Sequence, residues 1–330
     1  MRTRDDVVSR VRSKIRMMHL ALSTEDAYCG WIARYYDYCK GVSAGLSAEQ
    51  KVEAFLVDLA VRRRIAARTQ NQAFAALLYL YKEVLEKPLT NVAALRAKRP
   101  EHERISPSRE QVRLLRAAVE DTATTPARLL VDLLYGCGMR VSEPLELRVK
   151  DVLWGEGTHG QLLLRGAKGG KDRRVPIPRS CVAPLRHQLD RARVVWEWDQ
   201  ANAREVGVTM PFSLGLKYPR AAYQWQWFLV FPANFHCQDP RSGKRVRYHI
   251  LVDCIQRSVQ KAAEKAGLGG LITPHILRHA YATHSREPID SLRQLLGHTW
   301  LETTAGYLHP DVDRAGNPLD DLLDHRGNET

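Results

Sequence analysis

Six side chains in the second half of the chain have the makings of one reactive site. Arg140, Lys168, His275, Arg278, His298 and Tyr307 supply a hydroxyl nucleophile, two arginines, a lysine and two histidines. That set suits attack on a phosphodiester without a metal ion. Phosphoryl transfer depends mostly on positioning and charge stabilisation, so cations must be aimed at the non-bridging oxygens. Arginine serves well there, because its planar fork donates bidentately and keeps its proton. A phenol that ionises only near about pH 10 needs help to become nucleophilic, and nearby positive charge or a base provides it.

The local patterns say which elements must carry these groups. "LLYGCGMRVSEPLELRVKDV" ends a helix at Gly136–Gly138 and restarts one after Arg140, placing that arginine in a tight turn at a helix mouth. "LLLRGAKGGKDRRVPIP" reads as a hairpin with Lys168 in its glycine-rich turn. In "TPHILRH", Thr273 caps a helix with Pro274 at its first position, and Arg278 shares a face with His275 one turn earlier. In "LLGHTWLETTAGYLH" a helix ends at Leu295–Leu296–Gly297, leaving His298 just outside it. Thr299 and Glu302 then form a capping box, with Tyr307 near the far end of the next helix.

Each residue also has an ordinary structural reading. A glycine-flanked arginine is commonly a surface turn residue, a lysine is commonly solvated, and a helix-end tyrosine commonly packs with a wet hydroxyl. His275 and His279 are also spaced to ligate zinc with His298 as a third ligand, but 276 and 277 carry no HExxH glutamate and no carboxylate lies nearby. The specificity lies in all six occurring in this order and context.

The chain of 330 residues is long enough for two domains, and its 44% apolar and 26% charged residues are those of a globular protein. A net charge of +13 suggests a polyanionic partner, nucleic acid first. The six cysteines (29, 39, 137, 181, 237, 254) form no CxxC pair, and the start "MRTRDDVVSRVRSK" lacks an apolar signal core. A reduced, cytoplasmic protein with no membrane partner is expected, and nothing in the sequence calls for a cofactor. Residues 1–96 read as a helical domain, with helix starts at Ser23–Thr24, Ser47 and Thr69. Residues 97–108 lose apolar periodicity and form a linker. Residues 109–330 read as a mixed domain, mainly α with a small β-sheet. Within it, helices are expected over 109–121, 126–135, 142–148, 249–266, 274–286 and 291–296, and a long one from Ser180 to about Glu205. Strands fall at Gln161–Arg165 and Arg174–Pro178, and 206–247 is irregular.

The six residues in their contexts, supported by the rest of the chain from about 10 to 325, resemble the tyrosine recombinases (the phage-integrase family). The resemblance implies a two-domain, C-shaped clamp: a SAM-like helical core-binding domain and a mixed α/β catalytic domain. It makes Tyr307 the nucleophile that forms a 3′-phosphotyrosyl link, Lys168 the general acid with Lys171 as competing assignment, and His275 the base. His298 would bind the phosphate, and no ATP or metal is required. Arg62, Arg63, Arg64, Arg68 and Gln70 would contact DNA from the first domain.

The segment "LKYPRAAYQWQWFLVFPANFHCQDPRSGKRVRYH", within an insertion at 206–249, further resembles the integron-integrase branch. Those enzymes recombine gene cassettes at folded single-stranded attC hairpins and duplex attI sites, holding flipped-out bases on aromatic and histidine side chains. Trp227, Tyr248 and His249 are the candidates here, although Trp225, Trp227 and Phe228 also suit packing of the insertion. The resemblance implies a homotetramer on two DNA sites in the bacterial, nucleoid-associated cytoplasm. A Xer-like or phage-type recombinase on duplex DNA is the alternative, as is a catalytically impaired DNA-binding relative. Between Arg278 and His298 the stretch "HAYATHSREPIDSLRQLLG" is shorter than in related sequences. Pro288 and a cap at Asp290 are expected to place the loss in the connection between two helices.

Overall fold

Three hydroxyls start helices in the way their positions suggest. In the computed structural model, Ser47 and Gln50 form a reciprocal capping box, as do Ser108 and Gln111. Thr273 accepts from the Ile276 amide, with Pro274 opening the helix. Two expected starts are displaced. The helices near Ser23–Thr24 and Thr69 begin earlier, behind Ala21 and Ala66. Those alanines already have extended backbone, and their carbonyls accept the first-turn amides of Glu25 and Gln70 at 3.1 and 3.0 Å. The hydroxyls therefore fall inside the first turn, where no cap is needed.

The structure describes residues 3–43, 45–92, 106–155, 159–167 and 171–297. The chain divides into two units, Met1–Arg104 and Ile105–Thr330. The first contains α1 (Arg4–Met17), α2 (Leu22–Cys39), α3 (Ala48–Val57) and α4 (Ala67–Tyr79). α3 and α4 each run on into a π-helical stretch, at Asp58–Arg62 and Leu80–Val84. Ile15, Ile32, Phe55, Phe74 and Leu77 fill its core. Buried Glu25 receives Arg16 at 3.0 and 2.8 Å, tying α1 to α2.

The second unit opens with α5 (Arg109–Ala118), α6 (Ala127–Gly136) and α7 (Ser142–Leu145). The strands β1 (Val152–Leu153), β2 (Gln161–Ala167) and β3 (Lys171–Pro176) then form an antiparallel sheet. α8 (Val182–Asn202) precedes β4 (Gly207–Val208), α9 (Phe212–Lys217), β5 (Pro232–Gln238) and β6 (Arg245–His249). The last helices are α10 (Val252–Lys265), α11 (Pro274–His284) and α12 (Ile289–Leu296). Leu130, Leu133, Leu134 and Tyr135 of α6 lie at the centre of its core. The whole is mainly helical with small sheets. Among the described residues, no helix is long and apolar enough to cross a membrane.

The second sheet, ordered β4-β6-β5, corrects the expectation that 206–247 is irregular. A shift in register between Pro232 and His236 breaks the alternation of β5, and β4 has only two residues. β6 hides its register further, because Arg247 points inward and is buried.

α11 and α12 are joined through residues 285–288, where the sequence around Pro288 places the connection. α12 starts at Ile289 behind Pro288, two residues before the expected start, which puts Asp290 in the first turn rather than at the cap. A carboxylate there still favours the positive helix end.

α6 and α11 meet through Tyr135, whose hydroxyl bonds His284 Nδ1 at 2.9 Å. Burial, reinforced by the Arg109 charge, pushes the His284 imidazole down to about 4, against the opposing pull of the Pro107 carbonyl. Unfolded, the ring would titrate near 6.5. Stability from neutral His284 is therefore complete above that value and is lost as pH falls towards 4. With its partial exposure discounted, the loss is on the order of 2 kcal/mol. Melting curves of wild type and His284→Gln between neutral pH and about pH 4.5 check this. The variant should lose much of the acid-induced drop, and parallel curves would sink the idea.

Candidate active site

The turn between α6 and α7 is built around Gly138, which has φ +59. A Cβ there would overlap the Tyr281 ring and lie 2.9 Å from Leu296 Cδ2. Glycine thus allows α11 and α12 to close onto the turn that carries Arg140.

Arg140 is held by its near neighbour Glu143. The Arg140 amide donates to Glu143 Oε2, and Nη1 donates to Oε1, both at 2.7 Å. The Arg140 side chain is 27% exposed, so part of its guanidinium faces outward. Arg278, on α11, is 5% exposed. It donates to the Gly138 carbonyl at 2.7 Å and the Leu296 carbonyl at 2.6 Å, with Glu143 Oε2 at 4.0 Å. The two arginines singled out from the sequence therefore converge on one carboxylate.

A third arginine shares it. Arg173 of β3 donates to Glu143 Oε1 at 2.9 Å and Oε2 at 2.6 Å, while its Nε reaches the Leu295 carbonyl at 2.7 Å. Burial alone would raise the Glu143 carboxyl. The hydrogen bonds and charge of Arg173, then those of Arg140, outweigh it and hold the group below the usual carboxylate range. Such a cluster concentrates positive potential at the mouth of the turn, with Arg140 the exposed member. That geometry suits binding of an oxyanion such as a phosphate.

Neither Glu143 nor Arg173 was singled out from the sequence, yet both left signals. Glu143 lies three residues after Arg140 at a helix start, where an acid can reach back to an amide. Arg173 alternates with Val175 and Ile177, and all three face inward. An arginine in the buried register of a strand must have a partner.

His275 is exposed on α11, its ring 4.5 Å from that of buried His279, edge to face. Lys168, His298 and Tyr307 lie outside the described residues. So does the helix expected after the Thr299–Glu302 capping box. Ala167 pairs with Lys171, the residues on either side of that hairpin turn.

In the insertion, Trp227 is half-buried beside Phe228 and Leu229, which pack under α8. Lys150 Nζ sits 2.9 Å from the centre of its ring, and Arg148 holds its carbonyl at 2.7 Å. Lys217, Tyr218, Pro219, Arg220, Ala221, Gln224 and Trp227 line a cavity of about 490 Å³. Tyr248 is half-buried against His249, ring centres 4.0 Å apart. His249 itself is 8% exposed and donates Nδ1–H to the Ile250 carbonyl. Burial pushes the Tyr248 phenol up and the His249 imidazole down.

In the first unit Arg62, Arg63, Arg64 and Arg68 are exposed, and Arg64 takes positive φ. Asp58 pairs with Arg63 at 3.0 Å and Arg62 at 3.6 Å, which offsets part of that charge. Gln70 turns its amide to the Leu56 carbonyl at 3.4 Å.

Known proteins bear on the site. Residues 8–91 match a model described as the phage integrase N-terminal SAM-like domain, and 107–314 match the phage integrase family. An Escherichia coli protein named integrase/recombinase is 40% identical over 325 residues, 96% of this chain and 94% of the relative. Tyrosine recombinase XerC of Shigella flexneri is 29% identical over 289 residues, covering 84% of this chain and 82% of XerC. Among solved structures, a lambda integrase dimer bound to a core site superposes with TM-score 0.57 at 15% identity, over 94% of this chain and 98% of that one. XerH bound to its difH substrate gives 0.56 at 18%, over 88% and 77%. At those identities the two structures speak for the fold.

Proposed function

We propose that this chain, which belongs to the phage integrase family of DNA-cutting and rejoining tyrosine recombinases, is an integrase of the integron type. It would move gene cassettes between folded attC hairpins and duplex attI sites as a homotetramer on two DNA sites. Arg140 and Arg278 supply positive potential at the scissile phosphate, with Arg140, the more exposed of the two, in contact with it, and His298 helps to orient it. The Tyr307 hydroxyl attacks phosphorus while His275 takes its proton. The 5′-oxygen leaves with a proton from Lys168, and a 3′-phosphotyrosyl link remains. Reversal on a partner strand rejoins the DNA, and the link conserves the energy of the broken bond, so no ATP is consumed.

The observation that supports the hairpin substrate is the platform around Trp227. An aromatic ring, flanked by Tyr218 and by the cations Lys150, Lys217 and Arg220, offers a base both stacking and charge. Tyr248 offers a second face, and His249 supports it from the buried side. Arg62, Arg63, Arg64 and Arg68 of the first unit add phosphate contacts, with Gln70 behind them.

Gel shifts at one salt concentration test this, using an attC-like hairpin with its extrahelical bases and a fully paired duplex of the same sequence. The hairpin should bind more tightly. Trp227→Ala should weaken hairpin binding by at least about tenfold, the size of one lost base stack, and leave attI binding within a factor of about two. Equal affinity of the wild type for both forms would favour a Xer-like recombinase on duplex DNA.

A further inference from the structure

Arg173 occupies an unusual place: one guanidinium joins three segments. Its strand, β3, pairs with β2 on either side of the stretch of sequence that contains Lys168. Its two terminal nitrogens grip both oxygens of Glu143, the carboxylate that also anchors Arg140. Its Nε meets the Leu295 carbonyl at 2.7 Å, at the end of α12. The adjoining Leu296 carbonyl is taken by Arg278. Two guanidiniums thus cap the negative end of the helix that leads in sequence to His298. Gly297, at φ +64, lies against the same side chain, since a Cβ there would come within 3.1 Å of Arg173 Cδ.

From this we infer that Arg173 is a positioning residue for strand cleavage. It is 8% exposed, and its own donors are turned inward onto Glu143 and Leu295 rather than out towards a ligand. It acts through Glu143: the carboxylate is held in one orientation by Arg173 and in turn sets the aim of Arg140. Lysine cannot replace it, because a single ammonium lacks the planar fork needed to hold both carboxylate oxygens and a carbonyl together. The inference rests on the reading that Arg140 contacts the scissile phosphate.

The test is single-turnover formation of the covalent adduct on a nicked duplex, with affinity for the same duplex measured in parallel. Arg173→Lys and Arg173→Gln should each slow adduct formation by about a hundredfold, the usual effect of a misaimed group. Binding should stay within about twofold of wild type, and a melting temperature for Arg173→Lys close to that of wild type would show that the fold is kept. Glu143→Gln should show a similar loss, and the Arg173→Gln/Glu143→Gln double variant should be little slower than either single one. A double variant whose loss is the product of the two would mean that Arg173 does not act through Glu143, and would overturn the inference. Wild-type cleavage by both Arg173 variants would do the same. Arg140→Ala serves as the separate control. Undiminished cleavage there would remove the phosphate role of Arg140 itself, and this inference with it.

Discussion

Tyr307→Phe should bind DNA as the wild type does and form no covalent link to it. The substitution keeps the ring and removes only the oxygen proposed to attack phosphorus, so any change in affinity should be small. Loss of a covalent nucleophile lowers turnover by at least about 10⁴-fold, because no other group can replace the missing bond. Incubation with a nicked suicide substrate, followed by denaturing electrophoresis, reads the effect directly. Wild type should give a band that resists detergent, and the variant none. An undiminished band would move the nucleophile to another tyrosine. Tyr281 of α11 is a poor substitute, since it is buried and burial drives its phenol well above the ordinary range. Tyr135 is also buried, with its hydroxyl on His284. The second unit's other described tyrosines, 218, 223 and 248, belong to the insertion at 206–249, and burial drives the Tyr248 phenol up as well.

Much of the helical frame of both units is visible in the sequence because its signals are local. A hydroxyl three residues before a partner, a proline at the first helical position or a glycine in a tight turn each acts within one helical turn. Ser47, Thr273 and Gly138 are examples, and all three stand where their neighbours imply. The convergence of Arg140 and Arg278 depends instead on the family resemblance, because no spacing rule brings residues so far apart to a single carboxylate. Glu143 and Arg173 are hard to see in the sequence for a different reason. A charged residue reads by default as solvated, and only the register of β3 shows that Arg173 faces inward. The second sheet failed for both reasons together. Its strands are short or shifted in register, and its inward side chains include an arginine and a histidine.

That charged interior leads to the second large effect, which Asp199→Ala should produce. Asp199, on α8, is 1% exposed. Its carboxylate takes Arg247 Nε at 2.9 Å and Nη2 at 2.5 Å, and His236 Nε2 approaches at 2.8 Å. Arg247 also donates to the Ala233 carbonyl at 2.9 Å. One acid therefore fastens both β5 and β6 to α8. A buried ion pair adds little net stability, since removing two charges from water costs about what their attraction returns. Removing one partner is another matter, because Arg247 would keep its charge in a dry site with no counterion. That costs about 3–5 kcal/mol, or a melting temperature lower by roughly 10 °C in a unit of this size. Hydrogen exchange should rise first in β5 and β6, the strands that the carboxylate holds. Removing both charges with Asp199→Leu/Arg247→Met should recover part of the loss, because no orphan charge then remains. If Asp199→Ala melts within about 2 °C of wild type, water must reach Arg247 and solvate it, and the carboxylate is not what fastens the sheet to α8.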